Sequence, residues 1–245
     1  MKRKLNHFVF LGFFGIFTLL SVSFVQGDIF IQSKRHTDSY SMMGKTYPAE
    51  ELIITQWLSK DKFRNDEGSK KTFIVRLDIN KIYYINHEEK TYSVIDLPID
   101  FSKILPPEAQ QMMQMFTMSA TVTDTGETRR IGKWNCRKYI MDMQGGMMSM
   151  NMEIWTTKDV KIDYDAYEKF SESIMGLNPM FKNIADEIKK IKGLTIYRES
   201  TTTMMGTSIK STEEVVEIIK KSPPKGIYEL PVGYTEVQFN PMKRR

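Results

Sequence analysis

Methionine is the residue type in this sequence whose number and spacing could do chemistry. The chain has 18 methionines, and more than half lie in two short stretches. They are Met112, Met113, Met115 and Met118, and then Met141, Met143, Met147, Met148, Met150 and Met152. The unbranched, polarizable thioether adapts to apolar ligands of varied shape and also fills ordinary cores. Thioethers bind soft ions as well, so core filling, an adaptable pocket and a Cu(I) or Ag(I) site remain open.

The spacing of the second stretch argues against the metal. Alternate residues of a strand point to one face about 7 Å apart, so Met148, Met150 and Met152 could share an ion only with help from another segment. We therefore expect an adaptable apolar surface, no metal and no cofactor.

The sequence offers no constellation of catalytic residues. After residue 27 its histidines are His36 and His87, which stand far apart and lack the spacing of a metal-binding motif. A phosphate-binding glycine loop is also missing. Cys136 is the single cysteine, so no internal disulfide can form, and we expect it to be a small buried apolar residue. These patterns predict that the protein is not an enzyme.

The first 27 residues have the three parts of a secretory signal peptide. Lys2, Arg3 and Lys4 precede an apolar run over residues 8–25, which ends at Gln26-Gly27. A run of about 18 residues is also just long enough for a membrane anchor. The absence of a basic cluster after Gly27 favours cleavage. We therefore predict a signal peptide over 1–27, one domain over 28–245 and no later transmembrane segment, with the periplasm as destination or release to the medium as the alternative.

The net charge and its distribution argue against nucleic acid as a partner. Cleavage would remove three of the 35 basic residues and leave 32 facing 30 acidic ones, a net charge of about +2. Proteins that bind nucleic acid present a concentrated basic surface, and here the one compact basic cluster is the tail over residues 243–245. We therefore expect no nucleic-acid partner.

Most of the chain after residue 50 alternates apolar and polar residues with period two. Such runs, rich in β-branched and aromatic residues and separated by polar turns, predict an antiparallel meander. The predicted strands cover 51–58, 72–77, 82–85, 91–95, 121–124, 128–131, 134–143, 148–154, 194–204, 207–219 and 227–239.

Three segments have helical spacing instead. They cover 105–116, 163–175 and 178–193. In the third, Asn178 is a capping residue, Pro179 occupies the first turn and Gly193 follows the last one. An apolar stripe runs along each segment, so each helix should pack on the sheet.

Several short phrases carry a family resemblance when they are taken together and in order. They are Arg76-Leu77-Asp78, Lys90-Thr91-Tyr92, Thr125-Gly126-Glu127, and the segments 132–139, 153–159 and 230–234. The chain thereby resembles an uncharacterised bacterial envelope family, the domain-of-unknown-function 4412 family, whose members look similar in architecture to periplasmic carriers of outer-membrane lipoproteins. The resemblance implies a mostly β fold with helices (α+β). A strongly curved antiparallel sheet would form an incomplete barrel, with helices covering its concave face.

Carriers of that shape bind acyl chains between sheet and helices, so we expect an apolar ligand, such as a lipid or an acylated protein, in the concavity. The helix around residues 112–118 would act as a movable lid, and transient contact with membrane or outer-membrane components would accompany transfer. The candidate ligand-binding residues are Met112, Met115, Phe116, Met118, Met148, Met150, Met152, Trp155, Trp57 and Tyr84. The alternatives are an envelope interaction module without a ligand, and a methionine-based Cu(I) or Ag(I) binder.

Overall fold

The computed structural model of the protein describes residues 27–106, 118–146 and 148–241. Residues 1–26 of the predicted signal peptide and residues 107–116 of the helix predicted over 105–116 lie outside the described residues, and Leu105 at the predicted start of that helix is extended, with φ −113° and ψ 139°. Within them, twelve strands pair into one sheet and two more form a separate hairpin.

The strands alternate with short turns, as the period-two pattern predicted. In chain order they are β1 (Asp28–Thr37), β2 (Tyr40–Met42), β3 (Lys45–Tyr47), β4 (Glu50–Leu58), β5 (Lys62–Glu67), β6 (Lys71–Arg76), β7 (Lys81–Asn86), β8 (Thr91–Asp96), β9 (Ser119–Ile131), β10 (Trp134–Gly145), β11 (Met148–Thr157), β12 (Leu194–Met204), β13 (Thr207–Lys221) and β14 (Thr235–Glu236). The helices are α1 (Phe101–Ile104), α2 (Tyr164–Met175), a 3₁₀ helix (Pro179–Ile184) and α3 (Ala185–Ile188).

The sheet has the order β14-β8-β7-β6-β5-β4-β1-β13-β12-β11-β10-β9. All neighbours are antiparallel except β14, which pairs with β8 in parallel. Two local meanders, β4–β8 and β9–β13, are joined by β1, which pairs with both β4 and β13. The sheet is curved and remains open between its two edge strands, as predicted.

The helices cover one face of this sheet. On the β4–β8 half, Phe170 of α2 is 1% exposed, and its ring stacks on that of Phe63 at 5.6 Å between centroids. On the β9–β11 half, Ile184 packs against Tyr139 and Ile154. Strand register places Phe63, Tyr139 and Ile154 on one face, since directly opposed residues share a face. The predicted fold class, a curved sheet with helices on its concave side, is confirmed.

Four strands were not predicted: β2 and β3, which form the separate hairpin, and β1 and β5 of the large sheet. β1 occupies the centre of the sheet, and β5 has the sequence KFRNDE, which lacks an alternating apolar pattern. In β5 the polar side chains bind one another, because Arg64 Nη2 lies 2.7 Å from Asp66 Oδ1 and Gln56 donates to Asn65 at 2.9 Å. Satisfied polar pairs let a strand without an apolar face join the sheet.

The third predicted helix is only partly correct. Its apolar stripe packs inward as expected, at Phe181, Ile184, Ile188 and Ile191. The backbone nevertheless forms a 3₁₀ helix and then the short α3, since Ile184 leaves helical geometry with φ −107° and ψ 0°. The second predicted helix is confirmed as α2, whose Asp163 carboxylate accepts a hydrogen bond from Ala166 N at 3.0 Å.

The predicted strand over 227–239 is wrong except for β14. The segment instead follows the sheet as a strap, held mostly by side chains. Arg64 donates to Ile227 O at 2.8 Å, Tyr228 OH donates to Asp28 Oδ2 at 2.6 Å, and Tyr234 OH lies 2.9 Å from His87 Nδ1. These polar contacts replace the backbone ladder that a strand would need.

The backbone at Gly193 passes so close to the carbonyl oxygen of Thr157 that only glycine fits there. Its φ is +105°, and a Cβ there would stand 2.6 Å from Thr157 O. We expect Gly193→Ala to lower the free energy of unfolding by about 1–3 kcal/mol, measured by urea titration. Gly126→Ala is the matched control, because Gly126 also has a positive φ of +76° but open space around it. Equal losses in both variants would contradict the close-contact argument.

His87 should make stability depend on pH. Burial, and then the Arg64 charge, lower the pKa of His87 below its usual value. The unfolded chain therefore binds the proton more readily, so stability is full above about pH 6.5 and is lost as the pH falls through the native pKa. We expect the melting temperature to drop between pH 7 and pH 5, and the drop to be smaller in His87→Gln. The control is His36→Gln, and a pH slope in His87→Gln identical to that of the wild type would refute this assignment.

Candidate functional site

An apolar cavity of about 410 Å³ lies between the sheet and the helices. Its floor is formed by β10, β11 and β12, and its roof by α2 and residues 181–191. The apolar lining residues are Met141, Met143, Met150, Met152, Ile154, Met175, Phe181, Ile184, Ala185, Ile188 and Ile191. The polar and glycine positions are Tyr164, Tyr167, Glu168, Ser171, Glu172, Lys189, Gly193, Thr195 and Arg198. Small-molecule sites in proteins commonly enclose about 300–1,000 Å³, so the space has the size of a ligand site.

Four methionines form the floor in two directly opposed pairs. Met141 stands opposite Met152, and Met143 opposite Met150. Opposed residues of antiparallel strands have Cβ atoms about 4.5–5.5 Å apart, so the four thioethers form one continuous patch. The patch is adaptable because each side chain rotates about three bonds.

The roof is anchored firmly on both sides. Residues 185–191 are held to the sheet because Glu187 Oε2 accepts a hydrogen bond from Val122 N at 2.9 Å, and Thr156 Oγ1 donates to Lys192 O at 2.6 Å. α2 is held by the buried side chains of Ala166 and Phe170.

Two ion pairs cross the gap between the roof segments. Lys189 Nζ lies 3.2 Å from Glu172 Oε1, and Lys192 Nζ lies 2.9 Å from Glu168 Oε1. All four side chains are at least 39% exposed. Exposed pairs contribute about 0–1 kcal/mol each, so this seam is the weakest part of the roof.

A half-buried charge cluster lies at the sheet wall of the cavity. Arg198 lines the cavity and lies opposite both Ile154 and Glu213 in the strand register. Glu213 Oε2 accepts from Arg198 Nη2 at 2.8 Å and from Arg35 Nε at 2.9 Å. Burial alone would raise the pKa of Glu213, but the two guanidinium charges outweigh it and hold that pKa below its usual range. Two cations therefore share one carboxylate.

Tyr167, which also lines the cavity, adds no charge to this wall. Burial, and then the neighbouring Glu213 carboxylate, raise the pKa of Tyr167 to about 12. The phenol therefore stays neutral at physiological pH.

The structure brings some of the predicted site residues together. Met150 and Met152 line the cavity. Met118, which is 2% exposed, and Met148 pack in the same hydrophobic cluster as the floor methionines without lining the space. Met112, Met115 and Phe116, with the predicted lid helix, lie outside the described residues.

The three predicted aromatic residues lie elsewhere. Trp57 packs against Phe30 at 5.0 Å between ring centroids, on the face opposite the helices. Tyr84 packs against Phe73 at the β6–β7 pair, far along the sheet from β10. Trp155 lies under the Arg129 guanidinium at 4.1 Å and donates to Glu153 at 2.6 Å. None of the three contributes to the cavity.

The site also contains residues that sequence reasoning did not select. Met141 and Met143 belong to the methionine-rich hairpin, and their period-two spacing could have placed them beside Met150 and Met152. Arg198 and Glu213 carried no such signal, because their relation depends on strands far apart in sequence.

The remaining features of chemical interest are metal ligands, the single cysteine and a second cavity. Among the described residues, no group of three or more His, Cys, Asp or Glu side chains is placed to hold a metal ion. Cys136 is 1% exposed, and burial raises the pKa of its thiol, which disfavours the reactive thiolate. A second cavity of about 460 Å³, beside β8 and the C-terminal strap, has a mixed lining of apolar residues such as Ile95, Ile104 and Phe239 and charged residues such as Asp96, Lys103 and Glu236. Among the described helices, none is long and apolar enough to cross a bilayer.

The fold and site together define a class of protein: an open curved sheet whose helices roof an apolar cavity. Residues 41–234 match the model of the family described as Domain of unknown function (DUF4412), and the chain belongs to that family. The family resemblance noted in the sequence is thus confirmed. No curated protein matches the chain.

Two solved structures show a remote likeness. PNGF-II is 14% identical with a TM-score of 0.37, and the match covers 85% of this chain but 31% of that one, so this chain spans about a third of its length. A DUF1329 family protein from Desulfovibrio piger ATCC 29098 is 8% identical with a TM-score of 0.32, and the match covers 84% of this chain and 90% of that one.

Proposed function

We propose that this is a non-catalytic envelope protein that binds an apolar molecule, a lipid or the acyl chain of a partner protein, in the methionine-lined cavity. The observation that carries the proposal is the unfilled space of about 410 Å³ between floor and roof. A sheet face that served only to hold a solid core would be filled by side chains, since protein interiors pack like organic crystals. The cavity therefore favours a ligand over an interaction module without one.

The lining sets the kind of binding. Removing apolar surface from water contributes about 25 cal/mol per Å² and has little directional preference. Flexible thioethers fit chains of different shape, so the floor suits a family of aliphatic molecules rather than one rigid compound. Entry would proceed through the roof seam, where only the exposed Glu172–Lys189 and Glu168–Lys192 pairs must separate.

The cellular setting rests on the first 27 residues. A cleaved signal peptide there would place the domain in the periplasm, or release it to the medium, where apolar chains need a carrier between membranes. Transient contact with a membrane or an outer-membrane component would accompany loading and unloading.

A larger side chain in the cavity should weaken binding of an apolar ligand. Ala185 lines the roof, so Ala185→Phe would occupy ligand space. Loss of about 60 Å² of apolar contact weakens binding by roughly tenfold, so we expect at least that reduction for the neutral fluorophore N-phenyl-1-naphthylamine. The measurement is fluorescence titration of protein whose organic extract has first been analysed for co-purified lipid.

The matched control is Ala49→Phe, since Ala49 is exposed and lies outside the cavity. It should bind the fluorophore as the wild type does. The proposal fails if the wild type neither carries lipid nor binds the fluorophore, or if both phenylalanine variants behave alike.

A second candidate function, soft-metal binding, draws on one specific observation. The opposed pairs Met141–Met152 and Met143–Met150 supply thioethers from two strands, which overcomes the 7 Å separation along a single strand. Thioethers bind Cu(I) and Ag(I), so the same floor could hold such an ion.

Calorimetric titration with Ag(I) decides this second candidate. We expect stoichiometric uptake in the wild type and at least tenfold weaker binding in the double variant Met141→Leu with Met152→Leu, because a hydrocarbon cannot donate a lone pair. The control pair is Met148→Leu with Met204→Leu, which is also opposed across two strands but does not line the cavity. Absence of stoichiometric uptake by the wild type would exclude the metal.

A further inference from the structure

The charge cluster at the sheet wall of the cavity has one more cation than carboxylate. Within the described part of the chain, Arg198 and Arg35 share the single carboxylate of Glu213. At the roof, Glu168 is paired with Lys192, and Glu172 and Asp186 share Lys189. The excess positive charge therefore lies at the wall, where Arg198 borders the apolar space.

Arg198 is the member of this cluster that faces the cavity, and 38% of its side chain is accessible. A guanidinium has five N–H donors in a fixed planar fork. Glu213 accepts from Nη2, and no other described protein group accepts from Arg198. Donors on Nε and Nη1 therefore remain for a ligand. The neutral phenol of Tyr167 places no negative charge in the way.

We propose that the ligand is a single-chain aliphatic carboxylate, whose chain lies on the methionine floor and whose carboxylate binds Arg198. This inference rests on the proposed function and names the ligand class of the same cavity. The excess cation supplies charge complementarity, and the planar fork of arginine matches the two oxygens of a carboxylate. Arg35 continues to neutralise Glu213 while Arg198 is engaged with ligand.

The test uses three ligands that share one chain: dodecanoate, dodecan-1-ol and dodecylammonium, each displacing N-phenyl-1-naphthylamine from the full exported domain. A hydrogen bond to a charged group corresponds to roughly tenfold to a hundredfold in affinity, so we expect dodecanoate to bind that much tighter than the alcohol, and the ammonium to bind weakest. Lengthening the chain from octanoate should increase affinity about fourfold per methylene until the cavity is filled.

Arg198→Gln should remove the preference for dodecanoate and leave dodecan-1-ol unchanged. Arg198→Lys, which keeps the charge but not the fork, should retain part of the preference and serves as the second variant should Arg198→Gln fold poorly. The matched control is Arg137→Gln, because Arg137 pairs with Asp124 on an exposed surface and does not line the cavity. This control should bind all three ligands like the wild type.

The outcomes separate the two proposals. Equal binding of dodecanoate and dodecan-1-ol by the wild type overturns the carboxylate inference and leaves the apolar-ligand proposal standing. Equal weakening of both ligands in Arg198→Gln also overturns it, because the arginine would then have only a structural role. Binding of none of the three, together with no binding of the fluorophore, defeats the proposed function itself.

Discussion

The constraint on which the structure depends is the need to cover a wide apolar sheet face, and among the described residues two short segments do so. α2 and the 179–191 segment are short, and each can bury only the strands directly beneath it. Phe170 occupies the β4–β8 half and Ile184 the β9–β11 half, so the two covers are anchored apart. The cavity is the space that remains between them, and its floor is apolar because the same strands continue beneath it.

The roof is correspondingly uneven in strength. Its outer anchors are buried side chains and backbone contacts, including the tight passage at Gly193 and the Thr156–Lys192 hydrogen bond. Its middle is closed by exposed ion pairs, which contribute far less to stability than burial does. The two exposed ion pairs at the seam are therefore weaker than the buried anchors on either side of it.

Local patterns predicted the local parts of the fold. Alternation identified β6 and β10, and an apolar stripe at helical spacing identified α2, since these signals depend on neighbouring residues. The pattern failed for β5, whose Arg64–Asp66 pairing is satisfied within the sheet rather than by burial of an apolar face. Local pattern also gave no sign of Arg198. Its role in the charge cluster depends on Arg35, which lies on β1, far away in the sequence, and pairs with the same carboxylate of Glu213. The methionine floor was predicted in part. The sequence shows the methionine-rich hairpin, but it does not show which methionines stand opposite each other across the two strands.

The position of β1 has a consequence for how the chain acquires its shape. β1 pairs with β13, a strand far along the sequence, so that Arg35 and Glu213 meet across a separation of 178 residues. Contacts of such long range form late and slow folding, because a large loop must close first. The pairing of β1 with both β4 and β13 joins the two meanders into one continuous sheet. The Arg35–Glu213–Arg198 cluster spans this junction, so the charged wall of the cavity depends on a long-range pairing.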